Sequence, residues 1–257
     1  MRSKRIDLIE QYIYKYKTIS LDKLCEEFKM SKNTIRRDID VLVNKGVIKK
    51  VYGGVTINTN KELLSFEERT IKNNFAKSSI AQQCAQFVED GDCIFIDSGT
   101  TTLNIVEHLK DKKNITIFTN NLNAIVQAIP YENIEIICLS GRLSRKTSSF
   151  TGLNASDVLS TYNLNKSFIA CTGISLENGV TNTSPEEYKI KKVAVSKSSK
   201  CFLLADSSKF DVVSLMTFCD IKDLDYIITD ACLPKKYIDY FNNYNIELVI
   251  ANEENKK

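Results

Sequence analysis

Two clusters of residues in this 257-residue chain could do chemistry. The first is cationic. Arg36 and Arg37 lie side by side in "SKNTIRRDIDVLVNKG", with Lys32, Asn33 and Thr34 just ahead of them, and Lys49 and Lys50 follow shortly before "YGG". Arginine donates bidentately to guanine, asparagine does the same to adenine, and further cations hold phosphates, so this set suits a nucleic acid. The second cluster is "IDSGTTT", residues 96–102: an acid, a glycine and four hydroxyls where an apolar run gives way to a helix-like stretch. Backbone N–H groups, hydroxyls and a helix N-terminus around one point suit a phosphate. The lysine of a P-loop is missing, which argues against a nucleoside triphosphate.

Each cluster also has a plainer reading. The arginines could solvate a helix face or pair with Asp38 and Asp40. The "SGTTT" stretch could be an ordinary strand-to-helix turn with threonine as its cap. What separates the readings is the set of elements around each cluster.

Around the cations, "RSKRIDLIEQYIYKYK" sets Ile6, Ile9, Ile13 and Tyr16 on one face of an amphipathic helix. Ser20 caps a second short helix with Leu21, Leu24 and Phe28 as its apolar stripe, and "KM" makes a tight turn. Ser31 caps a third helix striped by Ile35, Ile39, Leu42 and Val43 and ended by Gly46. "VIKKV", "YGG" and "VTI" read as two short strands around a glycine turn. Three short helices and a ribbon make a winged helix-turn-helix. Its third helix enters the major groove, with Lys32, Asn33, Thr34, Arg36 and Arg37 on the face opposite the apolar stripe. The ribbon, with Lys49, Lys50 and Tyr52, lies along the adjacent backbone or minor groove.

Charge distribution agrees. Residues 1–57 hold 13 Lys/Arg against 7 Asp/Glu, a net of +6, whereas residues 58–257 hold 22 against 25, a net of −3. A basic head on a mildly acidic body points to a polyanionic partner for the head.

The body begins after a polar stretch, residues 58–75, that reads as a linker containing Arg69, with a helix starting near Phe75. Beyond it, "CIFID", "ITIFT", "IEIICLSG", "SFIACTG", "CFLLAD", "YIITD" and "IELVIA" alternate with helix-like stretches at 76–89, 102–110, 121–129, 185–197 and 234–243. Near-continuous apolar strands between helices predict a largely parallel sheet covered on both faces, an α/β domain over 76–257. Ligands of such sheets bind at the carboxyl ends of the strands. There the sequence offers Asp97 with Gly99 and Thr100 to Thr102, then Asn120 and Asn121, Gly141 and Arg142, Gly152, Gly173, and Asp206 with Lys209.

The rest bounds the function. The eight cysteines form no CxxC pair and most sit in apolar runs, which reads as reduced, buried thiols in a cytoplasmic protein. With His108 the sole histidine, neither a zinc site nor a Cys/His catalytic pair is expected, and no cofactor is called for. No apolar h-region follows the basic start, and no 18-residue apolar run exists, so neither a signal peptide nor a membrane partner is expected.

"SKNTIRRDIDVLVNKGVIKKVYGGV" resembles the signature of DeoR-type bacterial transcriptional regulators, with Tyr52 where that family commonly has histidine. The likeness continues through "IDSGTTT", "FTN", "SG…TG", "FIACTGISLENGVT" and "LLADSSKF", and so spans nearly the whole chain. It departs at "NKS", residues 165–167, where such proteins often carry an acid before the strand, and at "SG", residues 140–141, in place of two glycines. The resemblance implies a sensor domain like ribose-5-phosphate isomerase that binds phosphorylated sugars or related metabolites. Carried over, Ser31, Lys32, Asn33, Thr34, Arg36, Arg37, Lys49, Lys50, Tyr52, Gly53 and Gly54 meet double-stranded operator DNA. Asp97, Ser98, Gly99, Thr100, Thr101 and Thr102 become the phosphate loop, and Asn120, Arg142, Gly173, Asp206 and Lys209 the rest of the effector pocket. The expectation is a repressor of a carbohydrate operon, released by a sugar phosphate and assembled as a homo-oligomer, a dimer or tetramer. The alternative is a sugar-phosphate isomerase with an attached DNA-binding domain. It would need a positioned carboxylate, for which Asp97 and Asp206 are candidates. Against it stand Gly173 and Ile174 where such isomerases carry acids, with Glu177 the one acid of that stretch.

Overall fold

The computed structural model of the chain describes residues 5, 6, 8, 9, 12, 13, 16–44, 48–57, 65–152 and 154–251. It divides into two compact units, Met1–Glu62 and Leu63–Lys257.

In the first unit the described residues between 5 and 16 are helical. Helices Leu21–Phe28 and Lys32–Asn44 follow. Ile6, Ile9, Ile13, Leu24, Ile35, Ile39 and Leu42 form one core with Ile19, Ile48 and Val55. Tyr16, expected on the buried face, is 44% exposed. At Lys17 the backbone turns left-handed (φ 62°) and leaves the helix, and the Tyr16 ring lies beside Tyr12, centroids 4.7 Å apart. Ser20 caps the second helix by accepting from Lys23 N at 3.2 Å, as its position predicts. The left-handed residue Lys29 (φ 49°) makes the turn to the third. Gly46, expected to end that helix, lies outside the described residues.

The wing is a three-stranded sheet, not a two-stranded ribbon. Strand β1 (Thr18–Ser20) pairs antiparallel with β3 (Gly54–Ile57), which pairs with β2 (Ile48–Val51). A three-residue strand between two helices has no period of its own to read. Its signal is Gly54, where a Cβ would run into the Ile19 carbonyl.

The second unit is built on a seven-stranded parallel sheet in the order β15-β14-β12-β9-β4-β5-β6. These strands are Glu247–Ile250, Tyr226–Thr229, Ser198–Leu204, Leu164–Ala170, Cys93–Ile96, Ile115–Thr119 and Ile134–Cys138. Alternate residues go to opposite faces. Phe95, Phe118, Ile169, Leu203 and Ile227 enter one core, and Ile94, Ile96, Ile117, Phe168, Phe202, Leu204 and Ile228 the other. That two-sided burial is why the strands read as continuous apolar runs. The order runs outward from β4 through β5 and β6, then returns to β9 on the other side of β4 and continues outward. The crevice at the carboxyl ends of β4 and β9 is therefore the topological switch point.

Several elements differ from expectation. The stretch read as linker contains a helix, Phe66–Ile71, secured by a capping box: Ser65 Oγ accepts from Glu68 N at 3.2 Å and Glu68 Oε2 accepts from Ser65 N at 2.8 Å. The next helix starts at Asn74, one residue before Phe75. The helix expected over 102–110 is two short pieces, Thr100–Leu103 and the 3₁₀ turn Val106–Leu109. An antiparallel sheet of β10 (Gly173–Ser175), β11 (Gly179–Asn182) and β13 (Met216–Cys219) and a hairpin of β7 (Arg142–Ser144) and β8 (Ser149–Thr151) join the domain. Of the eight free thiols, Cys84, Cys201 and Cys219 are buried, Cys25, Cys93 and Cys171 partly buried, and Cys138 and Cys232 exposed, so the expected burial holds for only part of the set. Among the described residues no helix is long and apolar enough to cross a membrane.

Candidate functional site

In the first unit, helix Lys32–Asn44 buries Ile35, Ile39 and Leu42 and leaves Lys32, Asn33, Arg36 and Arg37 exposed. The acids that could neutralise the arginines are already engaged. Asp38, 1% exposed, accepts from Arg5 Nε at 2.7 Å and Nη2 at 3.1 Å, and Asp40 pairs with Lys50 at 2.7 Å. Lys32 pairs with Asp22 of the preceding helix at 2.5 Å. Among the described residues Arg36, Arg37 and Lys49 have no ion-pair partner. Ser31 and Thr34 serve the cap: their hydroxyls are 3.0 Å apart, and Ser31 Oγ accepts from Thr34 N at 3.3 Å. At the wing tip Tyr52 is fully exposed beside Gly53, whose φ of 75° suits glycine. The head thus presents an unpaired arginine pair, a second cationic strand and a projecting aromatic ring.

In the second unit the switch-point crevice gathers the "SGTTT" loop. Asp97, 1% exposed, ends β4. Its Oδ2 accepts from Ala170 N, at the end of β9, at 3.2 Å and from Lys191 Nζ. Lys191, on helix Pro185–Lys197, also donates to Ala170 O at 2.9 Å. Ser98 donates to Glu187 Oε1 at 2.8 Å, and Ser149 Oγ and Asn182 Nδ2 donate to the same carboxylate at 3.1 and 3.2 Å. Thr102 Oγ1 is committed to the Asp97 and Gly99 carbonyls at 2.8 and 2.9 Å. Thr100 and Thr101, 6% exposed each, make no side-chain hydrogen bond among the described residues, so their hydroxyls are uncommitted. Gly99 has an ordinary φ of −73°. It is glycine because a Cβ there would collide with the Cβ of Ala170, which makes it a crossing point and not a turn.

Thr119 and Asn121 at the end of β5 brace this loop. Thr119 Oγ1 donates to Ile96 O at 2.6 Å, and Asn121 Nδ2 lies 3.4 Å from Asp97 O. Asn120, 1% exposed, donates to Phe150 O at 3.1 Å and leaves its Oδ1 buried without a partner. Asp206, 2% exposed, lies two residues beyond β12 and accepts from Ser208 N at 3.1 Å and Asn73 Nδ2 at 3.0 Å. Cations converge here. Cys171, just beyond β9, feels Lys209 and Lys191 together with Asp206 and Asp97, and burial pushes its thiol up to about 12. Burial likewise lowers Lys77, to about 8, helped by Lys209.

Two further pocket candidates are engaged in other contacts. Arg142 is exposed and paired with Glu186, at the rim. Gly173 lies against the Val212 backbone, where a Cβ would overlap its carbonyl, which explains the glycine as packing. Sequence reasoning missed Glu187 and Lys191. At i and i+4 of "PEEYKIKK" they read as a surface pair, yet they are 6% and 2% exposed. Arg69 and Lys77 were also missed as members of this site.

The DeoR-like helix-turn-helix domain model matches residues 5–61, and the DeoR C terminal sensor domain model matches residues 72–231. The HTH-type transcriptional regulator IolR of Bacillus subtilis (strain 168) is 43% identical over 98% of this chain and 100% of its own. The lactose phosphotransferase system repressor of Lactococcus lactis is 29% identical over 95% of this chain and 96% of its own. The glycerol-3-phosphate regulon repressor of Escherichia coli (strain K12) is 27% identical over 96% of each. A ribose 5-phosphate isomerase from Plasmodium falciparum aligns with 52% of each chain at 14% identity and a TM-score of 0.38, too slight a likeness to carry an argument. With both domain models matched in order and a relative of this identity along its full length, the chain belongs to the DeoR family of transcriptional regulators.

Proposed function

We propose that this chain represses a carbohydrate-metabolism operon, and that a phosphorylated sugar bound at the β4/β9 crevice controls its hold on operator DNA. The observation that carries this reading is the pair of uncommitted hydroxyls, Thr100 and Thr101, on a buried loop at the switch point of the sheet, where Lys191 is held against Asp97. Uncommitted hydroxyls, with the charges of Lys209 and Lys191 reaching Cys171 beside them, favour an oxyanion that also carries hydroxyl groups. Asn120 Oδ1, buried and unpaired, is a ready acceptor for one of them. The relatives named for the lactose phosphotransferase system and the glycerol-3-phosphate regulon point to the same class.

In this reading the head binds DNA through Arg36 and Arg37 with Asn33, while Lys49, Lys50 and Tyr52 follow the backbone. Two heads of a symmetric homo-oligomer add their modest affinities on a repeated operator. The effector releases DNA by favouring the arrangement that does not fit the operator, a coupling of about 1–3 kcal/mol. An isomerase is disfavoured because the carboxylates at the crevice are occupied: Asp97 by Lys191 and Ala170 N, Asp206 by Ser208 and Asn73. Glu177 is exposed on the β10–β11 turn.

The test is fluorescence anisotropy of the full chain on its own upstream DNA, at stated salt, with a panel of sugar phosphates and their parent sugars. Release by one phosphate and not by its parent sugar is expected. Tight binding that no compound alters would end the effector reading. Absence of specific binding, with isomerase turnover lost in Asp206→Ala, would reverse the whole proposal.

A further inference from the structure

Arg69 lies on helix Phe66–Ile71, which packs against helix Thr100–Leu103 of the phosphate loop. Its guanidinium is positioned over the Phe66 ring, 5.4 Å from the centroid. Its Nε and Nη2 are buried and have no hydrogen-bond partner among the described residues. Glu187, Asp97 and Glu67 are near enough for their charge to act on it, but none of them hydrogen-bonds to it. Glu187 is occupied by Ser98, Ser149 and Asn182, and Asp97 by Lys191 and Ala170 N. Lys77 Nζ donates to the Arg69 carbonyl, which ties the next helix to this one. Lys209 and Lys72 add positive charge around Lys77.

A buried guanidinium with empty donors is costly, and folded proteins retain such groups where something else completes them. The carboxylates nearby do not complete it, so the missing partner comes from outside. It must present two oxygens to a planar fork, and an anion matches the charge of the guanidinium itself. We propose that Arg69 is the residue that anchors the effector's anionic group, a phosphate monoester accepting from Nε and Nη2, with Lys77 and Lys209 as flanking charges. This rests on the phosphorylated-effector reading and sharpens it. The loop holds the ligand from one side, and the first described helix of the second unit grips its phosphate from the other.

The experiment is thermal unfolding of the full chain in phosphate-free buffer, titrated with inorganic phosphate and then with sugar phosphates, for wild type, Arg69→Met and Arg69→Lys. Wild type is expected to gain several degrees at saturation. Arg69→Met should lose that gain while melting at or above the wild-type temperature without ligand, because an unpaired buried charge has gone. Arg69→Lys keeps the charge without the fork and should need at least tenfold more ligand. A wild-type response that both variants reproduce overturns the inference and leaves the effector reading standing. So does a large drop in the ligand-free melting of Arg69→Met with the response intact, which would make Arg69 a structural counter-charge. A wild type that responds to no phosphate compound overturns both.

Discussion

Lys191 crosses from helix Pro185–Lys197 to Asp97 at the end of β4, and both side chains are buried at the switch point. The ammonium also holds the Ala170 carbonyl at 2.9 Å, while Asp97 takes the Ala170 N–H at 3.2 Å. One ion pair therefore closes the ends of β4 and β9 around each other, on the two strands between which the chain reverses direction across the sheet. The "SGTTT" loop starts from a clamped end.

Removing one partner of that pair strands a buried charge. Lys191→Met is expected to destabilise the second unit by about 3–5 kcal/mol. Pairing it with Asp97→Asn should restore much of the loss, since the charge left behind is then gone. Urea unfolding followed by a probe confined to the second unit measures both. Equal stability of Lys191→Met and wild type would remove the clamp from the account.

Gly99 gives a steric prediction. A Cβ there overlaps that of Ala170, so Gly99→Ala should cost about 1–3 kcal/mol by overpacking, although its backbone angles suit alanine. Ala170→Gly in the same chain should recover most of it. If the double variant is no more stable than Gly99→Ala, the glycine is there for another reason.

Much of this was legible in the sequence, and the reasons for the failures are physical. The head could be read because each element carries its own local signals: Ser20 and Ser31 as caps, a 3–4 apolar spacing, and glycines at the wing. The parallel sheet could be read because two-sided burial writes continuous apolar runs. What could not be read depends on distant partners. β1 is three residues long and exists because β3 lies beside it. Glu187 and Lys191 look like a solvated helical pair until helix Pro185–Lys197 is placed over the strand ends. Arg69 was legible in part: the capping box of Ser65 and Glu68 announces a helix there, and a helix ending two residues ahead of "NNFAKSS" already makes a linker doubtful. Nothing local, however, says that its helix packs against helix Thr100–Leu103.

For the head, Arg36→Ala with Arg37→Ala should abolish specific operator binding and leave the melting temperature unchanged, because neither arginine has an ion-pair partner among the described residues. Lys49→Ala should act differently. If Lys49 meets a phosphate, affinity falls similarly for all sequences, and the slope of log K against log salt becomes shallower by about 0.9. Anisotropy over a salt series separates the two. Unchanged affinity in the arginine double variant would dismiss helix Lys32–Asn44 as the reading element.

Lys77 makes the pocket sensitive to pH. It is 5% exposed, and burial lowers its ammonium to about 8 from the ordinary 10.5; Lys209, Arg69 and Lys72 push the same way and Asp206 opposes them. The folded value lies below the unfolded one, so between about pH 8 and 10.5 the unfolded chain binds more protons and stability rises with pH. The penalty for keeping Lys77 charged is complete below that window and gone above it. Lys77→Met should therefore melt higher than wild type at pH 7, with the difference shrinking toward pH 10. An anion seated on Arg69 favours charged Lys77, so binding near pH 8.5 should take up protons. Calorimetric titration of phosphate in two buffers of different ionisation enthalpy reads that uptake directly. Heats that coincide in the two buffers would place the bound anion away from Lys77.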